Sequence, residues 1–167
     1  MLSITAPNFK EDPAMSLYLV QHGRSLSKDV DPDPGLSPEG LAEVQRIAGV
    51  ARGYGVRVRA IAHSGKKRAL QTADILGAAL NPTEGIRPRE GLKPLDDVAA
   101  LAPLVQTAED LMLVGHLPFM ERLAAWLVTG SAERPVFRFQ NGGIVCLRRV
   151  PEAGHWVLVW ALMPRID

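Results

Sequence analysis

The sequence predicts an α/β domain: a three-layer sandwich with a mainly parallel central sheet flanked by helices and a C-terminal hairpin at one edge. Three observations carry this expectation. Short apolar runs alternate with amphipathic helical stretches, the order that joins parallel strands through right-handed crossovers. The apolar runs are continuous rather than alternating, as in strands covered on both faces. The chain's 167 residues, 47% hydrophobic and 22% charged, are enough for one core of this kind.

Each element has a local reason. Residues 1–15 read as a loose leader, because Pro7, Asn8, Pro13 and a Lys-Glu-Asp cluster break any period; residues 16–167 read as a single domain. Leu17-Tyr-Leu-Val-Gln21 is a buried parallel strand that runs into a loop. The Asp, Pro and Gly residues of 29–35 make a surface loop. Ser37 caps the first strong helix, Pro38 takes its first position, and Leu41, Val44, Ile47, Ala48 and Ala51 form its apolar face. Gly53 and Gly55 end it. Val56 to Ala62 is a second strand, and Lys66 to Leu80 a second helix closed by Asn81-Pro82. Ile86 to Arg89 is a short strand, Asp96 to Gln106 a helix despite Pro103, and Asp110 to Gly115 another buried strand. A helix follows from Phe119 to Val128. Strands are then expected at Val136–Phe139, Ile144–Arg149 and His155–Leu162, joined by Asn-Gly-Gly and Pro-Glu-Ala-Gly turns.

Charge and composition exclude several functions. With 19 Lys+Arg against 18 Asp+Glu the formal net charge is +1, so no broad basic field for nucleic acid is expected. The single cysteine, Cys146, forms no intramolecular disulfide and no cysteine-built metal site, and it reads as a core thiol. No apolar run approaches the ~18 residues of a membrane span, and the first residues lack the cationic start and apolar block of a secretory signal. A cytoplasmic protein with no membrane or nucleic-acid partner is the expectation.

Ligands of such folds bind beyond the carboxyl ends of the parallel strands. Three polar turns lie there: Gln21-His22-Gly23-Arg24, His63-Ser64 followed by Gly65-Lys66-Lys67-Arg68, and Gly115-His116. Gly23 allows backbone N–H groups to approach a ligand. The second turn sets three cations at a helix start, which favours an anionic partner, although Lys66 and Lys67 alone read as a solvated basic turn. Arg68 has the fork geometry that matches phosphate. Two histidines and an arginine on one rim point to phosphoryl chemistry, in which an imidazole attacks phosphorus and water later releases the group. No nucleotide-binding Gly-x-x-x-x-Gly-Lys-Ser/Thr loop and no metal-ligand spacing is present. His155 has no such context and reads as a surface residue.

The stretches Leu17-Tyr-Leu-Val-Gln-His-Gly23, Leu36-Ser-Pro-Glu-Gly40, His63-Ser-Gly-Lys-Lys-Arg-Ala-Leu-Gln-Thr-Ala73 and Leu113-Val-Gly-His-Leu-Pro118 occur in the order found in the histidine phosphatase superfamily. From Leu17 to its C-terminus the chain resembles that family, and most closely its small SixA-type branch of phosphohistidine phosphatases. The resemblance implies that His22 is the transiently phosphorylated nucleophile. It implies that Arg68 binds the phosphoryl oxygens and that His116 is the second histidine, donating to them. Gln21, Gly23 and Arg24 are expected to complete the phosphate-binding pocket. No metal and no organic cofactor is implied. The implied reaction is hydrolysis through a covalent phosphohistidine intermediate, with a phosphorylated protein as the partner.

Two departures from the family pattern stand out. Gln21 replaces the usual arginine before His-Gly; Gln donates a hydrogen bond without charge, and Arg24 is the candidate to restore that charge. No carboxylate matches the general acid of larger relatives. Glu90, Asp96 and Asp97 are the candidates, with helix capping as the alternative role of Asp96 and Asp97. A phosphoramidate P–N bond demands less of such an acid than an alkyl ester does. The competing functions are a phosphatase for a small phosphorylated metabolite and a non-catalytic phosphate-binding module.

Overall fold

A computed structural model describes residues 15–151 and 153–166. The expected leader therefore lies outside the described residues except for Met15. The elements follow in the order β1 (Ser16–Gln21), α1 (Pro38–Gly53), β2 (Ala60–His63), α2 (Lys67–Leu80), β3 (Ile86–Pro88), α3 (Val98–Gln106), β4 (Leu111–Gly115), α4 (Phe119–Thr129), β5 (Ile144–Arg149) and β6 (Trp156–Leu162). The sheet order is β3-β2-β4-β1-β5-β6. β1 to β4 run parallel, whereas β5 pairs antiparallel with β1 and β6 antiparallel with β5. This is the α/β sandwich with its edge hairpin that the sequence predicts.

Period-2 alternation divides the continuous apolar runs between two cores. Tyr18 and Val20 of β1 turn to the face covered by α1 and α2, where they meet Val44, Ile47, Ala69, Ala73 and Leu76. Leu17 and Leu19 turn to the other face and pack with Leu101, Val105, Phe119, Met120 and Leu123 of α3 and α4. Cys146 of β5 is fully buried, and burial raises its thiol pKa to about 12, which leaves it an inert packing group.

The helix signals act as expected. Ser37 Oγ accepts the Gly40 N–H at 3.1 Å and Pro38 begins α1. Asn81 closes α2 in the left-handed region, its N–H bonded to Gly77 O at 2.8 Å. α3 begins at Val98, with Asp97 as its cap. β2 starts later than expected, at Ala60, because Val56 to Arg59 precede the register with β3 and β4.

One expected strand is absent. Val136 to Phe139 forms no ladder, although its apolar alternation reads as a strand. Both edges of β5 are already taken, by β1 and β6. The segment docks against α4 instead: Phe139 is buried in the α3–α4 core, and its N–H donates to Glu121 Oε1 at 3.2 Å. Phe137 meets Phe139 edge-on, with ring centroids 5.7 Å apart.

Candidate active site

The sheet order sets β2, β4 and β1 side by side, so their carboxyl ends open onto one place. The His22 N–H donates to Gly115 O at 3.0 Å, and the Ser64 N–H donates to Val114 O at 3.2 Å. The turns after β1 and β2 thus both hang on the end of β4, which delivers His116 between them. The His22 and His116 rings lie 4.9 Å apart, tilted by 56°.

Hydrogen bonds fix the His22 tautomer. A carbonyl only accepts, so Nδ1–H donates to Gly23 O at 2.7 Å. Nε2 therefore holds the lone pair and accepts from Arg68 Nε–H at 3.2 Å. Burial lowers the pKa of His22 to about 4, opposed by the Gly23 hydrogen bond and assisted by the Arg68 charge. The imidazole is neutral at physiological pH, with its free nitrogen beside a guanidinium.

His116 is almost wholly enclosed. Its Nε2 lies 2.6 Å from Ser64 Oγ, and its Nδ1 has no hydrogen-bond partner among the described residues. Burial lowers its pKa to about 3, helped by His22 once that ring is protonated in acid and by the charges of Arg68 and Lys66. His63, one residue before Ser64, accepts the Gly65 N–H on Nδ1 at 3.1 Å. It too is shifted down by burial, against the pull of Asp74.

The His22 turn is held from three directions. The Gly23 N–H donates to Thr72 Oγ1 at 3.0 Å, and the Thr72 hydroxyl donates to Arg68 O at 2.7 Å. Asn141 Nδ2 donates to His22 O at 2.9 Å, and the Gly142 N–H to Gln21 O at 2.8 Å. A Cβ on Gly23 would stand 2.7 Å from Val44 Cγ2, so the close seat of this turn on α1 requires glycine. Thr72 and Asn141 lie at the site without being singled out by the sequence, and Ser64 is named there only as part of its polar turn. Ser64 and Thr72 lie inside the family-like stretch from His63 to Ala73, and Asn141 reads only as part of a turn.

The remaining expected residues divide. Gln21 ends β1, and its Oε1 is buried with no hydrogen-bond partner among the described residues. Arg24 Nε lies 3.5 Å from Glu43 Oε2 on α1, and Glu43 Oε1 also accepts Arg165 Nη1 at 3.1 Å. Asp96 Oδ2 accepts the Lys93 N–H at 2.8 Å and Asp97 Oδ1 the Ala99 N–H at 3.0 Å, so both carboxylates serve turns and caps. Glu90 is exposed in the turn after β3. Among the described residues no group of three His, Cys, Asp or Glu side chains could hold a metal ion.

A family model for the histidine phosphatase superfamily, branch 1, matches residues 17–96. No curated protein sequence matches the chain. The fold is similar to that of the protein histidine phosphatase SixA complexed with tungstate, at a TM-score of 0.78 and 25% identity, covering 90% of this chain and 97% of the other. It is similar to a protein assigned as a SixA phosphohistidine phosphatase from Agrobacterium tumefaciens, at 0.72 and 23%, covering 90% and 98%. A phosphoserine phosphatase from Entamoeba histolytica, in complex with 3-phosphoglyceric acid, shares the fold at 0.64 and 17%, covering 88% and 96%. The matched segment contains the His22 and Arg68 turns and the shared fold brings His116 to them, so this chain is similar to the histidine phosphatase superfamily in both sequence and fold.

Proposed function

We propose that this protein is a phosphohistidine phosphatase that passes the phosphoryl group of a phosphorylated protein to His22 and then to water. The observation that carries the reading is the His22 tautomer: Nδ1–H is tied to a carbonyl, and Nε2 keeps its lone pair beside Arg68. Nε2 attacks phosphorus and the bond to the leaving imidazole breaks. The electron pair goes to the leaving nitrogen, which takes up a proton. His22 becomes an Nε2-phosphoryl imidazolium, whose positive charge is stabilised by the bond from Nδ1–H to Gly23 O. Water then attacks phosphorus, and Nε2 recovers its pair as phosphate leaves.

Arg68 supplies donors to the phosphoryl oxygens. His116 acts as a neutral donor through Nδ1, which requires that the Ser64 hydroxyl donate to Nε2 and so hold the other proton on Nδ1. Gln21 adds an uncharged amide, while Gly23 gives its N–H to Thr72 and its carbonyl to His22 and so shapes the turn. Asp96 and Asp97 are engaged with backbone N–H groups, which leaves Glu90 as the candidate acid. A P–N bond to imidazole suits a site in which that acid is exposed. The likeness to SixA and the short loops around the site support a protein-borne substrate.

The test is phosphate release from a phosphohistidine-bearing protein, without added metal, by wild type and His22→Ala. Release by wild type alone, with acid-labile phosphate trapped on His22, is the expected result. Phosphate binding without release by either protein would replace this reading with a binding module. Release from small phosphate esters alone would move the substrate to a metabolite.

A further inference from the structure

A phosphoryl group carries about −1.5 to −2 charges near neutral pH. The pocket must meet that charge with few cations. His22 and His116 are neutral, and position 21 is an uncharged glutamine. Arg68 supplies one full positive charge. The turns after β1 and β2 hold three other cations, Arg24, Lys66 and Lys67.

Two of these are committed elsewhere. Arg24 lies beside Glu43, a carboxylate it shares with Arg165. Lys67 Nζ lies 2.7 Å from Asp31 Oδ2, where it ties α2 to the loop before α1. Lys66 has no carboxylate within ion-pair distance among the described residues, and it is half-buried. Its backbone N–H points to Ser64 Oγ at 3.4 Å, the same oxygen that lies 2.6 Å from His116 Nε2. It also occupies the cap of α2 with no side-chain oxygen there, so the helix start itself brings no negative group to offset it.

We propose that Lys66 is the second cation of the phosphoryl pocket, a substrate-binding residue that supplies the charge Gln21 lacks, in the role the sequence would assign to Arg24. The field that Lys66 exerts on His116 is consistent with that position. The assignment rests on the phosphatase reading of the same pocket. Lys66 meets the anion in substrate and phospho-enzyme alike, so its loss acts on binding rather than on the chemical step.

The experiment is calorimetric titration with tungstate at one ionic strength, alongside steady-state turnover of a phosphohistidine-bearing protein. The variants are Lys66→Ala, Lys66→Arg, Arg24→Ala and, as a control for net charge, Arg57→Ala. Arg57 is exposed before β2, at the far end of the sheet. Lys66→Ala should weaken tungstate binding about tenfold and raise KM similarly with kcat nearly unchanged, the scale of one charge-assisted contact. Lys66→Arg should retain binding, and Arg57→Ala should match wild type.

Tungstate binding by Lys66→Ala equal to wild type would overturn the assignment while leaving His22-dependent turnover intact. An Arg24→Ala loss as large as that of Lys66→Ala would also overturn it, by returning the role to Arg24. Wild type that neither binds tungstate nor turns over substrate would overturn this assignment and the phosphatase reading together.

Discussion

Ser64 and Thr72 work on the two histidines without being nucleophiles themselves. Replacing Ser64 by Ala removes the group that orders the His116 tautomer. We expect a drop in kcat of roughly tenfold or more, the cost of a misassigned donor in a buried site, with no loss of the phosphorylated His22 trapped on the enzyme. Thr72→Val leaves the Gly23 N–H without its acceptor in a place from which water is excluded. Urea titration should show about 1–3 kcal/mol less stability, and turnover should fall because the His22 turn loosens. That His22, Arg68 and His116 meet on one rim was legible in the sequence, because each directly follows or lies near a strand end in a recognisable motif. Their positioning partners were not, since Asn141 lies 119 residues from the carbonyl it binds and only the folded chain joins them. Asp96 and Asp97 illustrate the converse: their composition fits an acid, but each spends its carboxylate on a nearby backbone N–H.

The first turn of α1 seats closely on the backbone of the His22 turn. A Cβ on Gly40 would lie 2.1 Å from Arg24 O, a backbone atom that cannot swing aside. Gly40→Ala must therefore push α1 from the His22 turn. The expected outcome is a loss of about 1–3 kcal/mol or more in thermal or urea unfolding, with activity falling further than stability alone explains. By contrast, Lys67→Ala breaks a solvent-screened ion pair and should leave the urea midpoint nearly unchanged. Hydrogen exchange in residues 25–36 should nevertheless quicken, because Asp31 loses its tie to α2. Capping signals make α1 readable from sequence alone, as Ser37, Pro38 and the apolar face all agree. Val136 to Phe139 misleads for a physical reason: alternation declares a half-buried extended segment, but pairing needs a vacant strand edge, and β5 has none.

Across the whole molecule, two buried imidazoles tie stability to pH. In the unfolded chain a histidine titrates near 6.5, whereas His22 and His116 are held near 4 and 3. Below pH 6.5 the unfolded chain therefore binds protons that the native protein refuses. Stability is full above that value and falls as pH drops toward 4 and then 3, at up to about 1.4 kcal/mol per pH unit for each ring. Urea midpoints should decline from pH 7 to pH 5, and the decline should be shallower in His116→Asn; an unchanged slope in that variant would contradict the burial argument. The layer order and strand sequence were legible because they follow from periodicity and crossover rules, while the sheet order became visible only once the pairing was known. That order has an evolutionary consequence. The residues before the two histidines, Gln21 and Gly115, are paired in register on neighbouring strands, and such strands lie about 4.7–4.9 Å apart. The ring separation of 4.9 Å follows the same spacing. Backbone pairing, rather than loop length, acts as the ruler between the two imidazoles. Insertions in the loops at 25–35 or 89–97 could thus build new walls for a different leaving group, and substrate preference could drift while the two imidazoles keep their pitch.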